Sequence, residues 1–296
     1  MNNEAKIPPQ LRRHGWRPFD SAALILIIGV MIWMGWRVLI HFNYPWDWSV
    51  IPQFIVSNYG GSLKLGTLGL GLLMTLKLSL WASALGLFFG LLLALARLSR
   101  SLYLRLISRT AVEVCRNIPP LVLVFIAFYF LSAQLLPWPY IISLITGISP
   151  LFTQAVEFLA VDSRQLGLFF PAVMALGFYE AAYFSEILRG AIISMNKGQW
   201  EASYCLGLSR FQQYRFVILP QVFRKSAPQL AGQFISTVKE SSIVSVISLA
   251  ELTYSGQQLS ATIHKLFEVW LTVAALYFIF NFALSCLFRR FERRQF

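Results

Sequence analysis

The sequence predicts an all-α membrane protein with six transmembrane helices and both ends on the cytoplasmic side. Three observations carry that expectation. Of the 296 residues 57% are hydrophobic and only 13% are Asp, Glu, Lys or Arg, about half the charged share of a soluble domain. The apolar residues come in blocks of roughly 20, the length a helix needs to cross the hydrocarbon core. The basic residues gather in alternate loops, as they do when one set of loops faces the cytoplasm.

The blocks lie at about 21–42, 69–96, 117–136, 167–188, 228–250 and 267–288. Residues 1–20 form a basic N-terminal arm with Lys6, Arg12, Arg13 and Arg17. The apolar run at 21–42 exceeds the core of a signal peptide and lacks a small-residue cleavage site, so it reads as the first transmembrane helix. The second block is long enough to tilt or project, and Gly86 and Gly90 give it a pair of small residues suited to close helix contact.

The loop after the second block carries Arg97, Arg100, Arg105 and Arg109. The loop after the fourth carries Arg189, Lys197, Arg210, Arg215, Arg224 and Lys225, and the tail at 289–296 carries Arg289, Arg290, Arg293 and Arg294. With the arm, these make 18 basic residues on one side, against Lys64, Arg164 and Lys265 on the other. Both termini are therefore expected in the cytoplasm. The same split removes a nucleic-acid reading of the net charge of +12, because the charge is spread over four segments of one membrane face.

The stretch from Tyr140 to Val161 is apolar enough to suggest a seventh span. Counting it would turn the 189–225 loop, with six basic residues, outward. Pro137, Pro139, Gly147 and Pro150 punctuate the region, and Gln154 and Glu157 interrupt it. The expectation is an extracytoplasmic insertion at 137–165 with short interfacial or partly buried helices.

Several chemistries find no support. Cys115, Cys205 and Cys286 are far apart without metal-ligand spacing, and His14, His41 and His264 are isolated, so no metal site is expected. No Gly-x-x-x-x-Gly-Lys-Ser/Thr loop occurs, and Gly60–Gly66 is only superficially similar. No catalytic residue and no cofactor on this chain are expected.

Ionisable residues inside spans are costly and face a cavity or a partner. Lys77 is a candidate counter-charge for an anionic ligand group, or else it snorkels to the outer interface. Glu180, mid-way along the fourth span, is a candidate for a translocation path, pairing with a ligand ammonium or with a Lys or Arg. Lys239, Glu240, Ser241 and Ser242 in the fifth span either line a cavity or bond between helices. Arg116, with Glu113 three residues before it, is expected to fix the start of the third span.

The 190–225 loop is longer than a plain connection. It reads as two short helices broken at Gly207, with Ser209 able to cap the second and Pro220 opening the next membrane helix. An ordinary amphipathic hairpin on the membrane surface is the alternative.

This stretch resembles the EAA loop of the permeases of ATP-binding-cassette (ABC) importers: Glu-Ala-Ala, three residues, Gly, nine residues, then Ile-x-Leu-Pro. Here Glu201-Ala202-Ser203 is followed by Gly207 and then by Val217-Ile218-Leu219-Pro220. Ser203 replaces Ala and Val217 replaces Ile. The flanks EAAYFSEILRGAI and NKGQWEASYCLGLS, and downstream FISTVKESSIVSVISLAEL, resemble the polar amino acid branch, the histidine, glutamine and glutamate type. The likeness spans about residues 65–290, a core of five transmembrane helices, with the first span and the 137–165 insertion outside it.

The resemblance implies a type I ABC importer permease fold and a bacterial inner-membrane location. It implies a coupling helix that sits in a cleft on an ATPase subunit, with Trp200, Glu201, Ala202, Ser203, Gly207, Leu219 and Pro220 as coupling residues. Trp200 and Tyr204, one turn apart, are expected to anchor there. The implied partners are two ATPase subunits holding ATP and Mg, a second permease of the same or a different chain, an external solute-binding protein, the amino acid substrate and the lipid bilayer. A pathway holding both Lys77 and Glu180 would suit a zwitterion, with a slight tilt toward acidic or neutral polar side chains. A passive channel, or a scaffold that uses the loop only to dock a partner, is the alternative from another class.

Overall fold

The computed structural model describes residues 18–41, 44–59, 62–130 and 165–295, with Ser143, Gly147, Gln154, Glu157 and residues 159–161 between the last two stretches. The arm before residue 18, positions 131–136 of the expected third span and most of the 137–165 insertion lie outside the described residues. The chain divides into two units, residues 1–47 and 48–296. The first contains α1 (Pro18–His41), whose Ser21–Arg37 segment is apolar but short.

The second unit opens with α2 (Pro52–Ile55) and a hairpin of β1 (Val56–Tyr59) and β2 (Ser62–Leu65), paired from Val56–Leu65 to Tyr59–Ser62. This corrects the all-α expectation in one place. The Gly60-Gly61 dipeptide between two short alternating runs is the residue type that tight hairpins demand. The segment that superficially resembles a phosphate loop is therefore mostly a strand.

Helices α3 (Thr67–Arg97), α4 (Leu102–Asn117) and α5 (Pro120–Ile126) follow. Helix α4 stops because a residue before proline is driven out of helical backbone, and Ile118 precedes Pro119-Pro120. Pro120 then starts α5, and the two helices meet at 115°. Beyond lie α6 (Leu166–Ile193), α7 (Lys197–Cys205), a short helical turn at Arg210–Gln212 and a wide π-helical turn at Gln213–Ile218. That turn runs without a break into α8 (Leu219–Glu240) and a 3-10 segment, Ser241–Ile247. Helices α9 (Leu252–Ile263) and α10 (Leu266–Gln295) complete the chain.

Among the described residues, α3, α6 and Leu266–Phe291 are long and apolar enough to cross a membrane, and the bent pair Leu102–Asn117 with Pro120–Phe130 makes a fourth if it is one span. The helix at the expected fifth span begins nine residues earlier, at Leu219. Its polar residues, from Arg224 and Lys225 to Lys239 and Glu240, keep it below that hydropathy. Polarity inside a helix otherwise packed in the bundle marks a lined path rather than a lipid face.

The crossing of α3 and α6 is the spine of the unit. A Cβ at Gly90 would lie 2.7 Å from Phe184 Cβ, one at Gly86 2.9 Å from Glu180 Cβ, and one at Gly177 2.7 Å from Leu85 Cδ2. The backbones touch because these residues carry no side chain. Around the crossing sits one apolar cluster that includes Leu78, Ala82, Phe169, Leu176 and Val244. A second, with Leu68, Leu252 and Val273, closes the end where α3 begins. A third, with Ala94, Leu188, Ile218 and Val222, closes the end that bears the 190–225 loop.

Candidate translocation site and coupling face

Glu180 is fully buried in the middle of α6, although a buried carboxylate demands compensation. Helix α8 supplies it. Gln233 Nε2 donates to Glu180 Oε2 at 2.8 Å, Glu240 lies beside the same carboxyl group, and Thr237, also beside it, donates its hydroxyl to the Gln233 carbonyl. Positions 233, 237 and 240 are spaced i, i+4, i+7 and share one face of α8. Glu180 Oε1 and Glu240 Oε2 are both buried without a donor among the described residues. Among the described residues no Lys or Arg is paired with either carboxylate. Two carboxylates this close in a water-poor interior call for an intervening proton or cation.

The other path candidates spread out. Lys239 is exposed and points away from the pair, as adjacent helix positions do. Ser241 is buried, and its hydroxyl donates to the Val238 carbonyl, while that of Ser242 donates to the Lys239 carbonyl. Both serines therefore close their own helix turn. Lys77 lines a separate cavity of about 440 Å³ with Met74, Gln165 and Ser255, and its Nζ donates to the Glu157 carbonyl at 3.4 Å. Lys77 lies nine residues before Gly86, the neighbour of Glu180, which is about 13 Å along α3. The structure thus does not bring Lys77 and Glu180 together, and one zwitterion does not span them.

Glu186 and Arg189 are expected from the sequence to close α6 as structural residues, and the structure adds partners that the sequence did not reveal. Glu186 holds three arginines: Arg97 at 2.6 Å, Arg189 at 2.9 Å and Arg116 at 3.4 Å. The clasp ties α3, α4 and α6 together where they end near the loop. Arg116 thus pairs with Glu186, not with Glu113, whose carboxylate and carbonyl accept from Asn117 Nδ2. Glu251, fully buried, caps α9 by accepting from the Thr253 and Tyr254 amides, and it also accepts from Tyr277 and Thr75. Glu is not among the residue types that N-caps favour, so the sequence carried no signal for that cap.

The 190–225 stretch folds as two helical pieces around Gly207, whose φ of +72° is left-handed and costs other residues. Ser209 and Gln212 form a reciprocal capping box, and Pro220 sits in the first turn of α8. In α7, Ser203 is buried and donates to the Trp200 carbonyl. Trp200 turns inward, edge-on to Tyr214 with ring centroids 5.2 Å apart. Burial there pushes the Tyr214 phenol above its ordinary range. The expected anchoring pair therefore splits: Trp200 packs half-buried against the protein's own core. Tyr204, 77% exposed, and Leu206, 76% exposed, project from the tip. Glu201 and Ala202 are exposed beside them, and Glu201 borders a cleft of about 350 Å³ with Arg210. Gln221 donates to Gln199, which pins α7 to α8, and Lys225 donates to the Ser194 carbonyl, which ties α8 to the end of α6.

Comparison with known proteins places this geometry. Residues 86–296 match the family described as binding-protein-dependent transport system inner membrane component. The chain is 34% identical over 255 residues to the glutamine transport system permease protein of Escherichia coli (strain K12), covering 86% of this chain and 98% of that protein. It is 33% identical over 228 residues to the L-cystine transport system permease protein of Bacillus subtilis (strain 168), covering 76% and 84%. A crystal structure of an amino acid ABC transporter with histidines superposes with a TM-score of 0.60 at 31% identity, over 77% of this chain and 94% of that one. The chain belongs to the inner-membrane permease family of binding-protein-dependent transport systems, in its polar amino acid ABC importer branch.

Proposed function

We propose that this permease spans the membrane six times with both termini in the cytoplasm, and that it carries polar amino acids inward on energy supplied by separate ATPase subunits. The acid cluster carries the reading: Glu180 meets Glu240, Gln233 and Thr237 between α6 and α8, and Glu180 Oε1 and Glu240 Oε2 are buried carboxylate oxygens with no hydrogen-bond partner among the described residues. They receive the cationic group of the substrate, either its α-ammonium or a basic side chain. The absence of Lys77 from that cluster removes the basis for a tilt toward acidic substrates.

The α7 tip, with Tyr204, Leu206 and Glu201, docks on an ATPase holding ATP and Mg, and Gly207 keeps the bend that presents it. Closure of the two ATPases moves α7, and the unbroken helix from Gln213 through α8 carries that motion to Gln233 and Glu240. A second permease, identical or different, completes the path, and an external solute-binding protein delivers the substrate. Reconstitution with ATPase and binding protein, followed by uptake of a panel of labelled amino acids, tests this. Uptake is expected only with ATP, and transport that persists without it would refute the proposal in favour of a passive channel.

A further inference from the structure

A second basic group lies away from the acid cluster and from the Glu186 clasp. Arg100, in the α3–α4 turn, and Arg210 and Arg215, beside the α8 entry, line one cavity of about 510 Å³. Its apolar lining comes from Leu95, Leu98 and Leu219 with Phe211 and Tyr214. No carboxylate lines it, and none of the three guanidinium groups has an ion-pair partner among the described residues. Three cations lining one cavity that no acid lines favour an anion there, Glu201 sharing a neighbouring cleft with Arg210.

The surroundings decide what kind. Phe211 is 73% exposed, and Phe216, with Arg215 stacked on its ring at 5.7 Å, is 64% exposed. Helix α4, which starts two residues after Arg100, exposes Leu102, Tyr103, Leu106 and Ile107 together with Arg105 and Arg109. Exposed aromatics and aliphatics interleaved with arginine are the composition of a surface lying in the lipid headgroup layer. The cavity lies between the last turn of α3 and the entry to α8. A ligand that fits it presents an anion to the arginines and hydrocarbon to the leucines.

We propose that this cavity is a binding site for an anionic phospholipid, its phosphate held by Arg100, Arg210 and Arg215 and its glycerol and upper acyl chain on Leu95, Leu98 and Leu219. Basic pockets between helices on the cytoplasmic side suit such headgroups. The inference rests on the reading that this end of the bundle faces the cytoplasm. Because the site joins the α3–α4 turn to the helix that leads from the loop into α8, bound lipid braces the two against each other.

The complete transporter in nanodiscs of phosphatidylcholine doped with spin-labelled phosphatidylglycerol tests the site, with spin-labelled phosphatidylcholine as reference. The expected result is preferential immobilisation of the anionic lipid. It falls about five-fold for each Arg→Gln change and about a hundred-fold for R100Q/R210Q/R215Q, since each arginine near the surface is worth about that factor. The paired change R289Q/R290Q in the tail should leave the preference intact. R100K/R210K/R215K should retain most of it, since lysine keeps the charge; this triple serves if the Gln triple fails to insert.

Equal selectivity in the wild type and the Gln triple would overturn the proposal. So would unchanged lipid selectivity with loss of ATPase co-purification, which would assign the arginines to protein docking. Competition by millimolar inorganic phosphate as strong as that by lipid would overturn it too. Neither substrate nor nucleotide is present, so a failed transport reading and a failed lipid site are separate results.

Discussion

Adding one methyl group at Gly90 asks whether the α3–α6 crossing sets the geometry on which the acid cluster depends. The new Cβ would stand 2.7 Å from Phe184 Cβ and 3.0 Å from both the Ala181 carbonyl oxygen and the Ser185 amide nitrogen. Two of those three atoms are helix backbone, so relief requires the helices to part. Comfortable carbon contact is about 3.5–4.0 Å, so the separation needed is close to 1 Å, and a gap of that size forfeits about a quarter to a half of the dispersion attraction around it.

Over-packing of this kind costs about 1–3 kcal/mol, and Gly90→Val belongs at the top of that range. Gly190→Ala is the control, because nothing lies within 4 Å of a Cβ there. Replacing glycine inside that helix should gain up to about 1 kcal/mol. Unfolding of the purified full chain by SDS in mixed micelles, followed by tryptophan fluorescence, should rank Gly190→Ala first, then wild type, Gly90→Ala and Gly90→Val. A Gly90→Val midpoint equal to wild type would falsify the tight crossing.

Glu186→Ala leaves the nearly buried Arg97 without its carboxylate and should lower the same midpoint by about 1–3 kcal/mol, with Glu186→Gln between the two. Arg116→Ala, at 41% exposure, should cost under about 1 kcal/mol. Gly207→Ala forces a left-handed residue at about 1–2 kcal/mol and tilts the α7 tip; the ratio of uptake to ATP hydrolysis should fall while membrane insertion is unchanged, and an unaltered ratio counts against the coupling role. Glu180→Gln and Glu240→Gln should each weaken substrate binding about ten-fold or more while leaving the unfolding midpoint equal or higher, because each removes one of two crowded carboxylates. Wild-type affinity in both would remove them from the path.

Apolar bulk is the easiest thing to read in a membrane sequence, because about 20 consecutive residues must all satisfy one solvent. The helices at 67–97, 166–193 and 266–295 follow from it. Backbone chemistry made the loop legible as well: Gly207, Ser209 and Pro220 each do there what their residue types favour. Gly86 and Gly90 announced a close crossing without saying with which helix.

Partnerships across long sequence separations were not visible. Arg116 had an acid three residues away and found another seventy residues on, because helix packing outweighs local spacing. The stripe Gln233–Thr237–Glu240 was present in the pattern, but only the approach of α6 shows that it meets Glu180. Trp200 on a nine-residue helix carries too little periodicity to reveal which way it faces, so its inward turn was hidden. The hairpin at 56–65 had its Gly-Gly signal in plain view beside spans that drew the reading toward helix.

The unbroken helix from the wide turn at Gln213–Ile218 through α8 keys the two functional faces to each other by residue count. An α-helix advances 100° per residue, and a π turn takes in one residue more than the regular ladder holds. Because the turn absorbs that residue locally, deleting it would leave Tyr204 and Leu206 in nearly the same phase, whereas deleting one from the regular helix at 221–232 would swing them by about 100° around the α8 axis relative to Gln233 and Glu240. The chain could remain folded, inserted and well packed, and still present its tip in the wrong direction. Phase, and not only contact, is what this stretch stores.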